Sequence, residues 1–176
     1  MNENKSYLSI IQPSFFPYLG YFKIIAMSKI FVFYDHVQYD KHGWRNRNKI
    51  LINKKANWIT LPVKISDDKK IQNVKIYQPQ RNFKKIFKNL SQNYSKSLNF
   101  KKIILLLEEI FFYKEWESLS EFNIFATKKI CDLLNITTDF YKSSDFENIN
   151  DKNLNIIRIC KKFNIDNYLS GKLAQN

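Results

Sequence analysis

Glycine and proline are scarce in this chain, at 3 and 4 of 176 residues. That scarcity excludes collagen-like, linker-like and disordered compositions, which are rich in one or both. Cysteine is scarce as well. Cys131 and Cys160 cannot form a disulfide framework, and each sits in a helical apolar pattern (Ile130-Cys131-Asp132-Leu133-Leu134 and Ile157-Arg158-Ile159-Cys160). Both read as buried reduced thiols. Long hydrophobic runs are missing too: residues 103–107 fall far below the roughly 20 apolar residues that a membrane-spanning helix needs. Residues 1–6 are polar, so no secretory segment is expected and the expected location is the cytoplasm.

Arginine is the fourth deficit. The formal net charge is +13, but of 29 basic residues only Arg45, Arg47, Arg81 and Arg158 are arginine. Phosphate- and base-reading sites favour the bidentate fork of arginine. The lysines recur in pairs along the chain, such as Lys54-Lys55, Lys101-Lys102 and Lys161-Lys162, and read as solvated faces. Nucleic acid is therefore not the expected partner.

What the chain does have is apolar mass. Hydrophobic residues make up 44% and aromatics 16%, with 15 Phe and 10 Tyr, enough for one packed domain over residues 1–176. The pattern predicts a strand at 7–11, an extended loop at 12–17 braced by Pro13 and Pro17, a helix at 19–27 and a strand at 30–34. Strand, helix, strand within about thirty residues is a βαβ unit with parallel pairing. A hairpin follows, from strands at 50–52 and 58–63 flanking the polar residues 53–57. A short strand is expected at 74–77 and helices at 82–90, 99–112 and 119–134. A strand at 136–141, a helix at 152–163 and a last strand at 168–170 complete the chain. The expected class is α/β: a mostly parallel sheet opened by the βαβ unit, with a helix-rich second half.

In open α/β sheets, ligands bind beyond the carboxyl ends of the strands. Three segments fall there: residues 12–20, residues 35–48 and Ser170-Gly171. The middle one holds both histidines, two arginines, two acids and Trp44. Arg45 and Arg47 can clamp phosphate or carboxylate oxygens. Asp35 can act as a base, hold a cation or bind a ribose hydroxyl; equally, it can cap a turn and pair with an arginine. His36 and His42 lack a standard zinc spacing and read as surface or capping residues, so no metal site is expected. No cofactor motif is present: there is no Gly-rich phosphate loop, no Gly-x-Ser-x-Gly and no Cys-His pair of catalytic spacing.

Residues 12–22, Gln-Pro-Ser-Phe-Phe-Pro-Tyr-Leu-Gly-Tyr-Phe, resemble the opening motif of the WbqC-like family. The resemblance continues in order through Tyr34-Asp35-His36-Val37-Gln38-Tyr39, residues 44–50, residues 58–63, Asn123, Ser143-Ser144 and residues 168–171. Two departures stand out: Tyr18 occupies a slot where tryptophan is common, and relatives continue for several tens of residues past the position of Asn176. The resemblance implies a single WbqC-like domain short of the family's C-terminal part. It also implies an enzyme of bacterial surface-polysaccharide (O-antigen-type) biosynthesis, a transferase or ligase acting on a nucleotide-linked amino sugar. On that reading Asp35 is the catalytic candidate. Gln12, Tyr18, Trp44, Arg45, Asn46, Arg47, Asn48, Ser170 and Gly171 bind the sugar substrate. A non-catalytic partner protein of the same pathway and a basic nucleic-acid-binding module are the rival readings. A second, topological likeness to nucleotidyltransferase-like folds is countered by Tyr21 and Phe22, which follow Gly20 without a histidine in the loop.

Overall fold

A computed structural model describes residues 6–147, 149 and 151–171; the polar opening residues 1–5 and residues 172–176 lie outside that range. The chain opens with β1 (Tyr7–Ile11), α1 (Leu19–Met27) and β2 (Ile30–Phe33), the expected βαβ unit. An excursion follows through β3 (Arg47–Ile52), β4 (Lys55–Thr60), β5 (Val63–Lys64) and β6 (Lys75–Ile76). Three helices come next: α2 (Pro79–Tyr94), α3 (Phe100–Phe112) and α4 (Leu119–Leu133). The chain then returns to the sheet with β7 (Asp139–Lys142), α5 (Lys152–Lys162) and β8 (Asn167–Tyr168).

The main sheet has the order β7-β2-β1-β8, and all three pairings are parallel. β2 is buried along its whole length, as a central parallel strand covered on both faces must be. Alternation divides its side chains. Ile30 and Val32 join Leu8, Ile10 and Ile159 of α5 on one face, while Phe31 and Phe33 join Tyr21, Phe22 and Ile25 of α1 on the other. The chain moves one way from β1 to β2 to β7, then adds β8 on the far side of β1. The strand order thus reverses at β1, and the carboxyl ends of β1 and β8 flank the switch point where such sheets bind ligands.

A second core joins the excursion to α2, α3 and α4. It is unusually aromatic: Phe83, Phe111 and Trp116 surround Phe122, with Phe83 and Phe122 stacked at 4.8 Å. Phe15 and Phe16 of the β1–α1 loop plug into it, at 6.1 Å from Phe122 and 5.6 Å from Phe111. This anchorage fixes the loop, and Phe16 is held at a φ of 44°, which a non-glycine residue adopts only when its surroundings impose it. The strand expected at 58–63 is divided between β4 and β5, and the one expected at 136–141 lies at Asp139–Lys142. Residues 55–57, read as hairpin loop, belong to β4, because Asn53 and Lys54 both take positive φ (50° and 62°) and close a two-residue turn.

Candidate functional site

Four strand ends open on the same edge of the sheet: residues 12–14 after β1, Tyr34-Asp35-His36 after β2, Ser143-Ser144 after β7 and Leu169-Ser170-Gly171 after β8. Adjacent strands lie about 4.8 Å apart, so these ends stand side by side where open α/β sheets form their ligand crevice.

Arg45 reaches into it from the β2–β3 connection. Its Nη1 donates to the carbonyls of Gln12 at 3.2 Å and Pro13 at 3.4 Å and to Ser14 Oγ at 2.5 Å. Tyr21 Oη donates to the same Gln12 carbonyl at 3.1 Å. The Arg45 Nε is buried without a partner, and none of the ion pairs among the described residues includes Arg45. Burial lowers the pKa of the guanidinium, against the opposing fields of Tyr21 and Asp40. A cation withdrawn from water and met only by carbonyls and a hydroxyl is a half-built anion site. Asn123 of α4 fastens the segment from below, its Nδ2 donating to the Arg45 carbonyl at 2.7 Å. Ser120 and Thr127 share its helix face, and Ser120 Oγ, Asn123 Oδ1 and Thr127 Oγ1 are buried without partners.

Asp35 is only 2% exposed. Its Oδ1 accepts from Ser143 Oγ at 3.0 Å and the Ser144 amide at 2.9 Å, and its Oδ2 accepts from Ser144 Oγ at 2.9 Å. His36 Nδ1 lies 2.8 Å from the same Ser143 Oγ. A carboxylate cannot donate, so where Ser143 gives its proton to Asp35 its oxygen accepts from the Asp35 amide at 3.0 Å and from His36 Nδ1, and in that arrangement Nε2 keeps a lone pair. Burial lowers the His36 pKa, Asp35 opposes the shift and Lys70 adds to it. The result is a neutral imidazole oriented by a serine and a buried carboxylate. Sequence analysis gives Asp35 as the catalytic candidate and reads His36 as a surface or capping residue; the fold brings Ser143-Ser144, at another strand's end, to both.

A family model described as the WbqC-like protein family matches residues 12–176. The chain belongs to that family. Among curated relatives, the Uncharacterized protein Rv1507c of Mycobacterium tuberculosis (strain ATCC 25618 / H37Rv) is 32% identical over 171 residues, 96% of this chain and 74% of the relative. No solved structure matches the chain.

The remaining candidates of this WbqC-like chain divide into two groups. Gln12 lies in the crevice floor, with its carbonyl bound by Arg45 and Tyr21, and Ser170-Gly171 lie across from it after β8. Among the described residues, a Cβ on Gly171 would meet only Ile24 Cδ1, at 4.0 Å, and its φ is not positive. Asn46 and Asn48 instead act on the protein. Asn46 Nδ2 donates to the Leu61 carbonyl at 2.9 Å, and Asn48 Nδ2 donates to the carbonyls of Phe15 and Phe16. Arg47 does not share the partners of Arg45: it donates to the His42 carbonyl and lies 4.3 Å over the Trp58 ring. Trp44 packs against Trp58 at 5.2 Å, and both rings are about half exposed. Tyr18 is 72% exposed and its ring covers Gly20, where a Cβ would come within 2.2 Å of Tyr18 Cε2. No helix among the described residues is long and apolar enough to cross a membrane, and no group of three or more His, Cys, Asp or Glu gathers among them.

Proposed function

We propose that this WbqC-like protein is an enzyme of bacterial surface-polysaccharide biosynthesis, a transferase or ligase that modifies a nucleotide-linked amino sugar. The observation that carries the reading is Arg45: a largely buried guanidinium at the switch point of a parallel sheet, with no carboxylate among the described residues paired to it. A phosphate or carboxylate of the substrate completes its coordination. Gln12, Ser170 and Gly171 line the sugar's position, and Trp44, with Trp58 and Arg47 beside it, offers a stacking face together with the exposed Tyr18. Asn46 and Asn48 hold the walls.

His36 Nε2 is the proposed general base. It accepts the proton of a sugar hydroxyl or amine as that oxygen or nitrogen bonds to the transferred group, and the leaving group departs with its electron pair. Asp35 serves by orientation: through Ser143 it fixes the tautomer and favours the imidazolium as it forms. Family likeness supplies the pathway; the site supplies the charge and the base.

A thermal-shift panel of nucleotide sugars, free nucleotides, free sugars and short oligonucleotides tests the proposal. A ligand at about 100 times its Kd stabilises the native state by about 2.7 kcal/mol, a rise of roughly 5–10 °C for a chain of this size. The expected result is a rise with one class of nucleotide sugar that is lost in Arg45→Gln, while the variant's unliganded melting temperature stays high enough to show that it folds. A rise with oligonucleotides alone contradicts the reading. No rise with any sugar or nucleotide supports the non-catalytic partner instead.

A further inference from the structure

Away from the sheet edge, a cavity of about 410 Å³ lies between the β3–β4 hairpin and the corner where α2 gives way to α3. That volume falls in the range of small-molecule sites. Its walls are apolar, made by Phe16, Ile50, Leu90, Phe100, Ile103 and Leu107. Polar neighbours are spent on the fold: Asn48 Nδ2 on the Phe15 and Phe16 carbonyls, and Tyr94 Oη on the Leu51 amide at 3.0 Å. The interior therefore offers chiefly dispersion and burial, with Ser97 and Asn99 the further polar residues on its lining.

The rim has the opposite character. Leu98, at the α2–α3 corner, is 99% exposed, and Leu51, on the hairpin, is 57% exposed. Lys49 lines the mouth, and Lys54, Lys55, Lys96, Lys101 and Lys102 stand exposed on the two segments that carry those leucines. Acids are missing from both. Residues 41–66 and 69–107 contain 17 lysines and arginines and no Asp or Glu; the rest of the chain carries 12 basic and 16 acidic residues, which together give the net +13. With Asp67 and Asp68 the only acids between residues 41 and 107, much of the basic excess lies in and beside the elements that build this cavity. Protruding leucines among lysines, around an apolar hole, fit a ligand with an alkyl chain and an anionic head at a membrane surface.

We propose that this cavity binds the chain of an anionic lipid with a phosphate-type head, the head resting on the lysines of the rim. The inference is independent of the reading of Arg45 and concerns a different set of side chains. A free nucleic acid explains the lysines but not the cavity, and a second copy of the chain explains the cavity but brings its own lysines against these.

The test is isothermal titration of the whole protein with hexyl, octyl and decyl phosphate, each below its micelle concentration, and with inorganic phosphate and decanol as controls. Burying each added methylene is expected to tighten binding about fourfold until the cavity is full, with a negative heat-capacity change. Decyl phosphate is expected to bind at least about tenfold more tightly than decanol. Ile103→Trp, which fills the cavity, is expected to weaken decyl phosphate about tenfold or more with little change in melting temperature. Saturating nucleotide sugar is expected to leave alkyl phosphate binding unchanged, so the two readings fail separately.

Affinities that are equal across the chain-length series, or binding by inorganic phosphate as strong as by decyl phosphate, overturn the proposal in favour of surface charge alone. Loss of the alkyl signal on adding an oligonucleotide, without any chain-length dependence, points to nucleic acid and overturns it too. If light scattering shows a dimer that Ile103→Trp dissociates, the occupant is a second copy. Should that variant fail to fold, the chain-length series in the unaltered protein decides.

Discussion

Arg45 and Asp35 are both charged groups taken out of water, and their partners separate their roles. The Asp35 carboxylate has three donors and is sealed from solvent, whereas the Arg45 guanidinium has weaker neutral acceptors and an unpartnered Nε. Asp35→Asn turns an NH2 group toward donors of Ser143 and Ser144, and is expected to cost about 1–3 kcal/mol, read as a lower denaturation midpoint. His36 carries a pH signature. Its pKa is lowered in the fold, so the unfolded chain binds the proton first as pH falls through about 6.5. This group's contribution to stability is therefore complete above that value, declines on acidification and levels off below the folded pKa. Two-dimensional NMR of the imidazole is expected to give a midpoint below that of a peptide histidine; a midpoint above it contradicts the assigned surroundings. Burial pushes the Cys131 thiol up to about 12, with Asp132 adding to the shift. Cys131 is accordingly expected to resist thiol reagents at neutral pH until the protein unfolds. Gly171→Ala meets no clash, so it is expected to fold normally; weaker sugar binding in that variant marks a close approach of ligand to backbone.

At the scale of elements, the β3–β4 turn gives a clean expectation. Lys54 sits at a φ of 62°, a conformation that costs a side chain about 1 kcal/mol relative to glycine. Lys54→Gly is therefore expected to raise the melting temperature by about 2–4 °C, and a fall contradicts the turn geometry. This hairpin also shows where sequence reading stops. β1 and β2 were legible because Ile10-Ile11 and residues 30–34 are short apolar runs bounded by turn residues, whereas β7 begins three residues later than the strand expected at 136–141. The helices were legible from their spacing: Phe83, Ile86 and Leu90 in α2, for example. The β3–β4 boundary was not, because Lys55, Ala56 and Asn57 have little strand preference and pair only once the left-handed turn aligns them. The start of α2 at Pro79 was also hidden, although proline at a first helical position is favourable.

The same contrast holds for the crevice. Its position followed from strand ends, so Gln12, Asp35, Arg45 and Ser170-Gly171 were legible as its residues. Which of them are spent on structure was not. The bonds from Asp35 and His36 to Ser143 join positions more than a hundred residues apart, and those of Asn48 to Phe15 and Phe16 depend on the loop's unusual backbone. Pairwise partners of this kind come from tertiary placement, to which local propensity is blind.

For the whole molecule, two features stand apart. The sheet's carboxyl edge holds a buried cation and an oriented imidazole, while the β3–β4 and α2–α3 segments carry many of the lysines and an apolar cavity. The β1–α1 loop touches both: Gln12 and Ser14 bind Arg45, and Phe15 and Phe16 line the cavity. The central claim is that the carboxyl edge is the ligand site. Amide NMR of the nitrogen-15-labelled protein, titrated with the nucleotide sugar that stabilises it most, tests this directly. The expected shifts cluster at Gln12, Ser14, Asp35, His36, Arg45, Ser143, Ser144, Ser170 and Gly171, and vanish in Arg45→Gln. Saturable shifts confined to other surfaces, or unchanged in that variant, would contradict the account.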